Sequence, residues 1–321
     1  MKIIITDSNL GDLSLEKEVA RIYGIEIDKP KQCKTEDDVI SVAKDADAIV
    51  TQYAPVTRKV LESCTKIKAV SEFGVGVDNI DVAACTERGI IVSNVPDYCW
   101  EEVSDHALAL ALALDRGIVR LDNAIRSGDY SLNAVKPLQR ITKRVFGVIS
   151  LGRIARATAL KARGVGYQVV GTDVALKPGT TTADGIPVKT LDEVLSESDV
   201  VSVHVPLMPA TRHLINAETL AKMKPGAVLV NTARGAVVDT EALIAALKKG
   251  RIRGAALDVF ETEPLPKEHP LCSLDNVILT PHAGYYSEES LRELKTRPVE
   301  NAAEVLAGRI PRNVFNPEIL K

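Results

Sequence analysis

Residues 145 to 173, VFGVISLGRIARATALKARGVGYQVVGTD, decide the fold. Val145-Phe-Gly-Val-Ile149 is a short apolar run of strand character, and Ser150-Leu-Gly152-Arg-Ile-Ala155 is a turn opening the helical pattern Arg156 to Arg163. A second strand, Tyr167 to Thr172, ends at Asp173. Strand, glycine turn, helix, strand, acid is the order of a dinucleotide site, in which the helix N-terminus faces a pyrophosphate and the acid about 20 residues on bonds ribose hydroxyls. Of the three glycines of that fingerprint only Gly152 is present. Ala155 at the third position still permits close helix-to-strand packing, but Ser150 puts a side chain where the chain must turn tightly. Backbone strain or a weakened phosphate contact is the expected consequence. A carboxylate at Asp173, with no arginine in Val174-Ala-Leu-Lys177, favours NAD over NADP, whose 2′-phosphate it would repel.

Working outward, short Val/Ile-rich strands alternate with amphipathic helices from Ile3 to about Val92, and a second such series runs from Val145 to Leu279. The pattern predicts an α/β chain with two doubly wound parallel sheets. Between the series, Glu101 to Arg126 includes His106-Ala-Leu-Ala-Leu-Ala-Leu-Ala-Leu114, too long for a strand and rich in strong helix formers. It reads as one helix, apolar all round its middle, whose burial falls within the domain or, as the preferred reading, between two subunits of a homodimer. The segment Glu288 to Ala307 reads as a return helix on the first domain.

The composition excludes several classes. A net charge of -3 with scattered lysines leaves no basic stripe for nucleic acid. Met1-Lys-Ile-Ile-Ile-Thr-Asp7 is too short an apolar run for a membrane span or leader and reads as the first buried strand. The five cysteines, odd in number and never in a C-x-x-C pair, suit a reducing cytoplasm and no structural metal.

Chemistry gathers at three consecutive strand-to-loop positions: Asn231-Thr-Ala-Arg-Gly235, Asp258-Val-Phe-Glu-Thr-Glu-Pro264 and Pro281-His282. An arginine binds a carboxylate or carbonyl through a planar fork and stays charged at any working pH. A histidine with a carboxylate beside it can give and take a proton near neutrality. Singly, Arg234, Glu263 and His282 could be a surface cation, a turn residue and a loop histidine. Downstream of a dinucleotide signature they suit the reduction of a 2-oxo acid and its reverse.

From about Asp47 almost to the C-terminus the chain resembles the D-isomer-specific 2-hydroxyacid dehydrogenases. The resemblance is carried by Gly74-Val-Gly-Val-Asp-Asn79, His204-Val-Pro206 with Thr211, and the three stretches above. The branch it looks most similar to, that of phosphoglycerate dehydrogenase-like enzymes and C-terminal binding proteins, is suggested by Gln52-Tyr-Ala-Pro-Val-Thr57, Pro96-Asp-Tyr98 and His282-Ala-Gly-Tyr-Tyr-Ser287. The resemblance implies a Rossmann NAD-binding domain, residues 99 to 285, inserted in a flavodoxin-like substrate domain of residues 1 to 98 and 286 to 321. It implies that Arg234 binds the substrate, that Glu263 pairs with His282, and that His282 is the general acid/base. Backbone amides around Val75 and Gly76 would hold the substrate carboxylate, with Tyr53 and Tyr285 nearby. Gly152, Arg153 and Ile154 would cradle the pyrophosphate, and Asp173 would take the ribose. His204, Val205, Pro206 and Thr211 would line the cofactor site with Thr232, Ala233, His282 and Gly284, while Asp258 would bond the nicotinamide amide. Trp100, where the family usually has a small residue, and Glu72, where this branch often carries arginine, depart from the pattern.

The remaining histidines have plainer readings: His106 as a capping or core residue, His213 and His269 as surface residues without neighbours of ligand type. The expected activity is hydride transfer between NAD(H) and a D-2-hydroxy acid/2-oxo acid pair. A non-catalytic NAD(H)-binding scaffold on the same fold is the main alternative, and phosphite oxidation a minor one.

Overall fold

The computed structural model describes residues 1 to 28 and 30 to 321 and divides into two compact units, Met1–Cys99 with Ser287–Lys321, and Trp100–Tyr286. The first unit runs β1 (Lys2–Ile5), α1 (Ser14–Ile22), β2 (Glu26–Ile27), α2 (Glu36–Ala43), β3 (Ala48–Thr51), α3 (Arg58–Ser63), β4 (Ala69–Glu72), α4 (Val82–Glu87) and β5 (Ile91–Ser93). All its pairings are parallel, in the order β2-β1-β3-β4-β5, the flavodoxin-like arrangement. Ile3, Ile4 and Ile5 are fully buried, as befits a strand covered on both faces. Helix starts are fixed locally: the Thr35 hydroxyl accepts from the Asp38 N–H and the Asp38 carboxylate accepts from the Thr35 N–H, a capping box.

The second unit opens with α5 (Trp100–Arg116) and α6 (Ile118–Arg126). It continues through β6 (Val145–Ile149), α7 (Arg153–Gly164), β7 (Gln168–Thr172), α8 (Leu191–Glu197), β8 (Val200–Val203), α9 (Ala217–Lys222), β9 (Val228–Asn231), α10 (Thr240–Lys248), β10 (Gly254–Leu257) and β11 (Val277–Leu279). The chain then returns to the first unit as α11 (Glu288–Leu306). The six-stranded parallel sheet has the order β11-β10-β9-β8-β6-β7. From β6 the chain goes outward to β7 and then back across to β8, so the carboxyl end of β6 is the topological switch point where α/β sheets take ligands. On one face Ala107 and Ala111 of α5 pack with Ala155 and Ala159 of α7 around Phe146, whose ring meets Tyr167 edge-on at 5.4 Å. On the other, Leu220 and Met223 join Leu243 and Leu247 over Val201 and Leu229.

The single helix expected over Glu101 to Arg126 is two. Gly117 stands between them at φ +62°, a left-handed backbone that ends α5, and a Cβ there would lie 2.4 Å from Val135 Cγ1. The burial expected from its apolar circumference is one-sided. Val103, Ala107, Leu110 and Ala111 are buried, whereas no residue of α6 is, and Ile118, Val119 and Ile125 are exposed.

Candidate active site

The three chemical stretches leave the sheet at neighbouring strands β9, β10 and β11, all parallel, so their carboxyl ends share one edge. Asn231, the buried last residue of β9, closes its own loop: its amide donates to the Arg234 carbonyl at 3.0 Å and its side-chain oxygen accepts from the Ala233 N–H at 3.0 Å. Gly235 then passes so close to the next loop that a Cβ would stand 1.9 Å from the Phe260 carbonyl carbon. Only glycine permits that approach, which holds the loop of Arg234 against the loop of Glu263.

Glu263 Oε1 accepts from the Phe260 N–H at 2.9 Å, and Oε2 lies 2.8 Å from His282 Nδ1. Burial pushes the Glu263 carboxyl up, but His282, the Phe260 N–H and the charge of Arg234 together hold it below its ordinary value. An ionised carboxylate only accepts, so Nδ1 carries the proton and Nε2 is left for the reacting group. The Tyr285 ring meets His282 edge-on, with centroids 6.4 Å apart.

The backbone of His282 is left-handed, at φ +54°. It is held by Asp258, 2% exposed at the end of β10, whose carbonyl accepts from the His282 N–H at 2.7 Å. The Asp258 carboxylate accepts from Ala283 N–H and Gly284 N–H, both at 2.9 Å, and from the Thr280 hydroxyl at 2.6 Å. Burial pushes this carboxyl up, and bonds from His106, Thr280, Ala283 and Gly284 outweigh it and bring it below the usual range. A nicotinamide amide would have to share oxygens already engaged. Asp258 organises the loop, a role that its place in the sequence did not disclose.

At the switch point Ser150 has φ +93°. Its hydroxyl accepts from the Gly152 N–H at 3.2 Å, and Asp173 Oδ2 accepts from the Leu151 N–H at 2.8 Å. Gly152 caps α7, whose first turn contains Arg153 and Ile154. His204 follows β8 with Nε2 2.9 Å from Ser202 Oγ, and burial pushes its pKa down to about 4, so the ring is neutral at neutral pH. Val205 and Pro206 follow it, and Thr211 closes their loop by donating to the Pro206 carbonyl at 2.6 Å. The Thr232 hydroxyl, next to Ala233, is buried without a hydrogen-bond partner among the described residues.

In the other unit, Asp7 gathers the loop after β3: its carboxylate accepts from the N–H groups of Gln52, Tyr53 and Ala54. The Tyr53 side chain stays exposed. In the loop after β4, the Val75 carbonyl accepts from the Asn94 amide at 2.6 Å and the Gly74 carbonyl from the Val95 N–H at 2.8 Å, just before Gly76. Glu72 is buried at the end of β4, and Trp100, half-buried, begins α5.

By sequence, Asp7, Asn94 and Thr280 have no site role and His106 reads as a capping or core residue. Their roles come from partners distant along the chain. His213 lies at the surface as expected, but it does have a neighbour of ligand type: Nε2 lies 2.9 Å from Glu261 Oε2. His269 caps a short 3-10 turn, Pro270–Ser273, where its Nδ1 accepts from the Leu271 N–H at 3.3 Å.

Comparison with known proteins adds an independent line. The family model "D-isomer specific 2-hydroxyacid dehydrogenase, NAD binding domain" matches residues 108–284. D-3-phosphoglycerate dehydrogenase of Methanocaldococcus jannaschii is 41% identical over 98% of the chain, which spans only 59% of that protein's length. Glyoxylate reductase of Korarchaeum cryptofilum is 40% identical over 88% of the chain and 86% of its own. Among solved structures, D-lactate dehydrogenase from Aquifex aeolicus, complexed with NAD and lactic acid, superposes with a TM-score of 0.86 at 29% identity, covering 98% of this chain and 99% of that one.

Proposed function

The chain belongs to the D-isomer-specific 2-hydroxyacid dehydrogenases, NAD-dependent oxidoreductases, and on that footing we propose hydride transfer between NAD(H) and a D-2-hydroxy acid/2-oxo acid pair, with His282 as general acid/base. The observation that carries the assignment is the 2.8 Å contact of His282 Nδ1 with Glu263 Oε2, beside the charge of Arg234. Arg234 holds the substrate's carboxylate and carbonyl through its forked guanidinium. Nε2 of His282 protonates the carbonyl oxygen as it is reduced and takes the proton back in reverse, while Glu263 stabilises the imidazolium. NAD(H), when bound, supplies or accepts the hydride.

The residues present fit that cofactor. The N-terminus of α7 suits an anion, Asp173 stands about 20 residues beyond the turn, and the buried Thr232 hydroxyl, without a hydrogen-bond partner among the described residues, suits a polar group. We assign Gly152, Arg153, Ile154, His204, Val205, Pro206, Thr211, Ala233, Asp258 and Gly284 to the same ligand. Tyr53, Val75, Gly76 and Tyr285 we assign to the substrate, with Met1–Cys99 and Ser287–Lys321 as the substrate unit. The buried Glu72 carboxylate stands beside the loop of Val75, where a second negative charge on the substrate would be repelled. Glyoxylate or pyruvate is therefore expected above phosphohydroxypyruvate. NADH oxidation with each of the three tests this. NADH binding without turnover of any 2-oxo acid would leave the scaffold reading in its place.

A homodimer through α5 and α6 is part of the proposal, supported by the exposed Ile118, Val119 and Ile125 of α6. Sedimentation should give a dimer, and Ile118→Asp with Ile125→Asp a monomer. A cytoplasmic setting is supported by five free cysteines, four of them buried. Among the described residues no helix is long and apolar enough to cross a membrane.

A further inference from the structure

We infer that His106 of α5 is a positioning residue for proton transfer, fixing through Thr280 the Asp258 carboxylate around which the loop of His282 is wound. The inference rests on the reaction assigned above to His282.

His106 Nε2 lies 3.0 Å from Thr280 Oγ1 and 3.3 Å from Asp258 Oδ1, across 174 residues of chain in the first case. The hydrogens in this triangle can be placed by elimination. An ionised Asp258 can only accept, so the single Thr280 proton points at Oδ1, where the separation is 2.6 Å. Thr280 Oγ1 then offers His106 only a lone pair. Nε2 must donate, which fixes His106 as the Nε2–H tautomer or the imidazolium.

That donor comes from outside the loop it serves. The other groups on the carboxylate, Thr280, Ala283 and Gly284, belong to the segment that carries His282, and Asp258 directly follows the neighbouring strand. His106 ties this anchor to α5. The fit is close: a Cβ on Gly284 would stand 2.9 Å from Asp258 Oδ2 and 3.4 Å from His106 Cδ2, so glycine there lets the ring sit against the loop. The Asp258 carbonyl takes the N–H of His282 and its carboxylate takes those of Ala283 and Gly284, so this one residue anchors the backbone from which the His282 ring projects. Displacing the carboxylate would leave the proton donor bound to Glu263 but misaimed, a loss felt in turnover more than in cofactor binding.

The full chain with NADH and its best 2-oxo acid tests this. His106→Leu should lower kcat by roughly ten- to a hundredfold, the worth of one hydrogen bond to a charged network, with the NADH Kd within about threefold of wild type. His106→Gln, which keeps a donor at similar reach, should recover most of the loss. Because both residues act on one carboxylate within one hydrogen-bonded triangle, the double variant His106→Leu with Thr280→Val should fall well short of the product of the single effects. Turnover within twofold of wild type in His106→Leu, or single effects that multiply in the double variant, would overturn the inference. Should His106→Leu fail to fold, wild-type turnover in Thr280→Val overturns it instead. Imidazole 15N shifts of the wild type separate the two readings. An Nδ1–H tautomer at His106 in an active enzyme sinks only the positioning role, whereas a chain that reduces no 2-oxo acid sinks the reaction assignment.

Discussion

His282 and Ser150 each follow a strand of the same sheet with a left-handed backbone, at φ +54° and +93°, yet they are held in different ways. Histidine is among the residues enriched in the left-handed well near +50° to +70°, and the loop of His282 is wound on a carboxylate 2% exposed with its acceptors occupied. Serine at +93° lies beyond that well, and its anchor, Asp173, is only half-buried. The first loop spends strain to aim a side chain. The second tolerates a side chain where glycine would relax, and its hydroxyl occupies the Gly152 N–H that a pyrophosphate would use. Strain at a site is thus informative only together with what opposes it.

The largest effect should come from removing what the first loop aims. His282→Ala should cut kcat by roughly 10²- to 10⁴-fold with NADH binding largely intact. Wild-type-like turnover would remove the reason for treating that loop as the chemical one.

Next in size is the contact between the loops of Arg234 and Glu263. Gly235→Ala puts a methyl group into the Phe260 backbone and should destabilise the protein by about 1 to 3 kcal/mol or more, read as a lower midpoint in urea. An unchanged midpoint would mean that the loops separate easily and that the comparison with the looser turn at Ser150 has no content.

Ser150→Gly should act more mildly. Glycine relieves the left-handed φ at position 150, an effect read as added stability. Freeing the Gly152 N–H is worth one hydrogen bond, so NADH should bind roughly three- to tenfold tighter by fluorescence titration. The expectation from sequence, strain or weakened phosphate contact, thereby divides into two measurable parts. Unchanged affinity would show that the hydroxyl yields to the phosphates without loss.

Asp173→Ser should have the smallest effect, narrowing the preference for NADH over NADPH by roughly tenfold. The ratio of kcat/KM values for the two cofactors is the proper measure, because Asp173 also holds the turn through Leu151 N–H and Ala175 N–H, and a general loosening cancels in the ratio. A ratio that already favours NADPH in the wild type would overturn the assignment of Asp173.

Much of this was legible along the chain. The order from Val145 to Asp173 disclosed the second sheet's first crossover, and the alternation from Ile3 to Val92 disclosed the first sheet. The break at Gly117 was legible too, since glycine after a basic residue at a helix end is a stop signal, but the Ala/Leu run before it carried more weight. His106 and His213 were opaque. Their partners Thr280 and Glu261 lie far along the chain, and no periodicity encodes such a pairing.

The sequence by itself determined the alternation of strand and helix, the glycine turn with its serine, and the chain order of arginine, glutamate and histidine, because these depend on side-chain periodicity and local backbone preference. Only the tertiary structure decided that β9, β10 and β11 lie side by side, that Gly235 lets two loops touch, and that Asp258 serves the backbone of 282 to 284, and it gave the pairing of Glu263 with His282 its 2.8 Å geometry. The physical reason is that hydrogen bonds and close approach depend on distance in space, and strand order, which sets that distance here, is a property of the whole sheet.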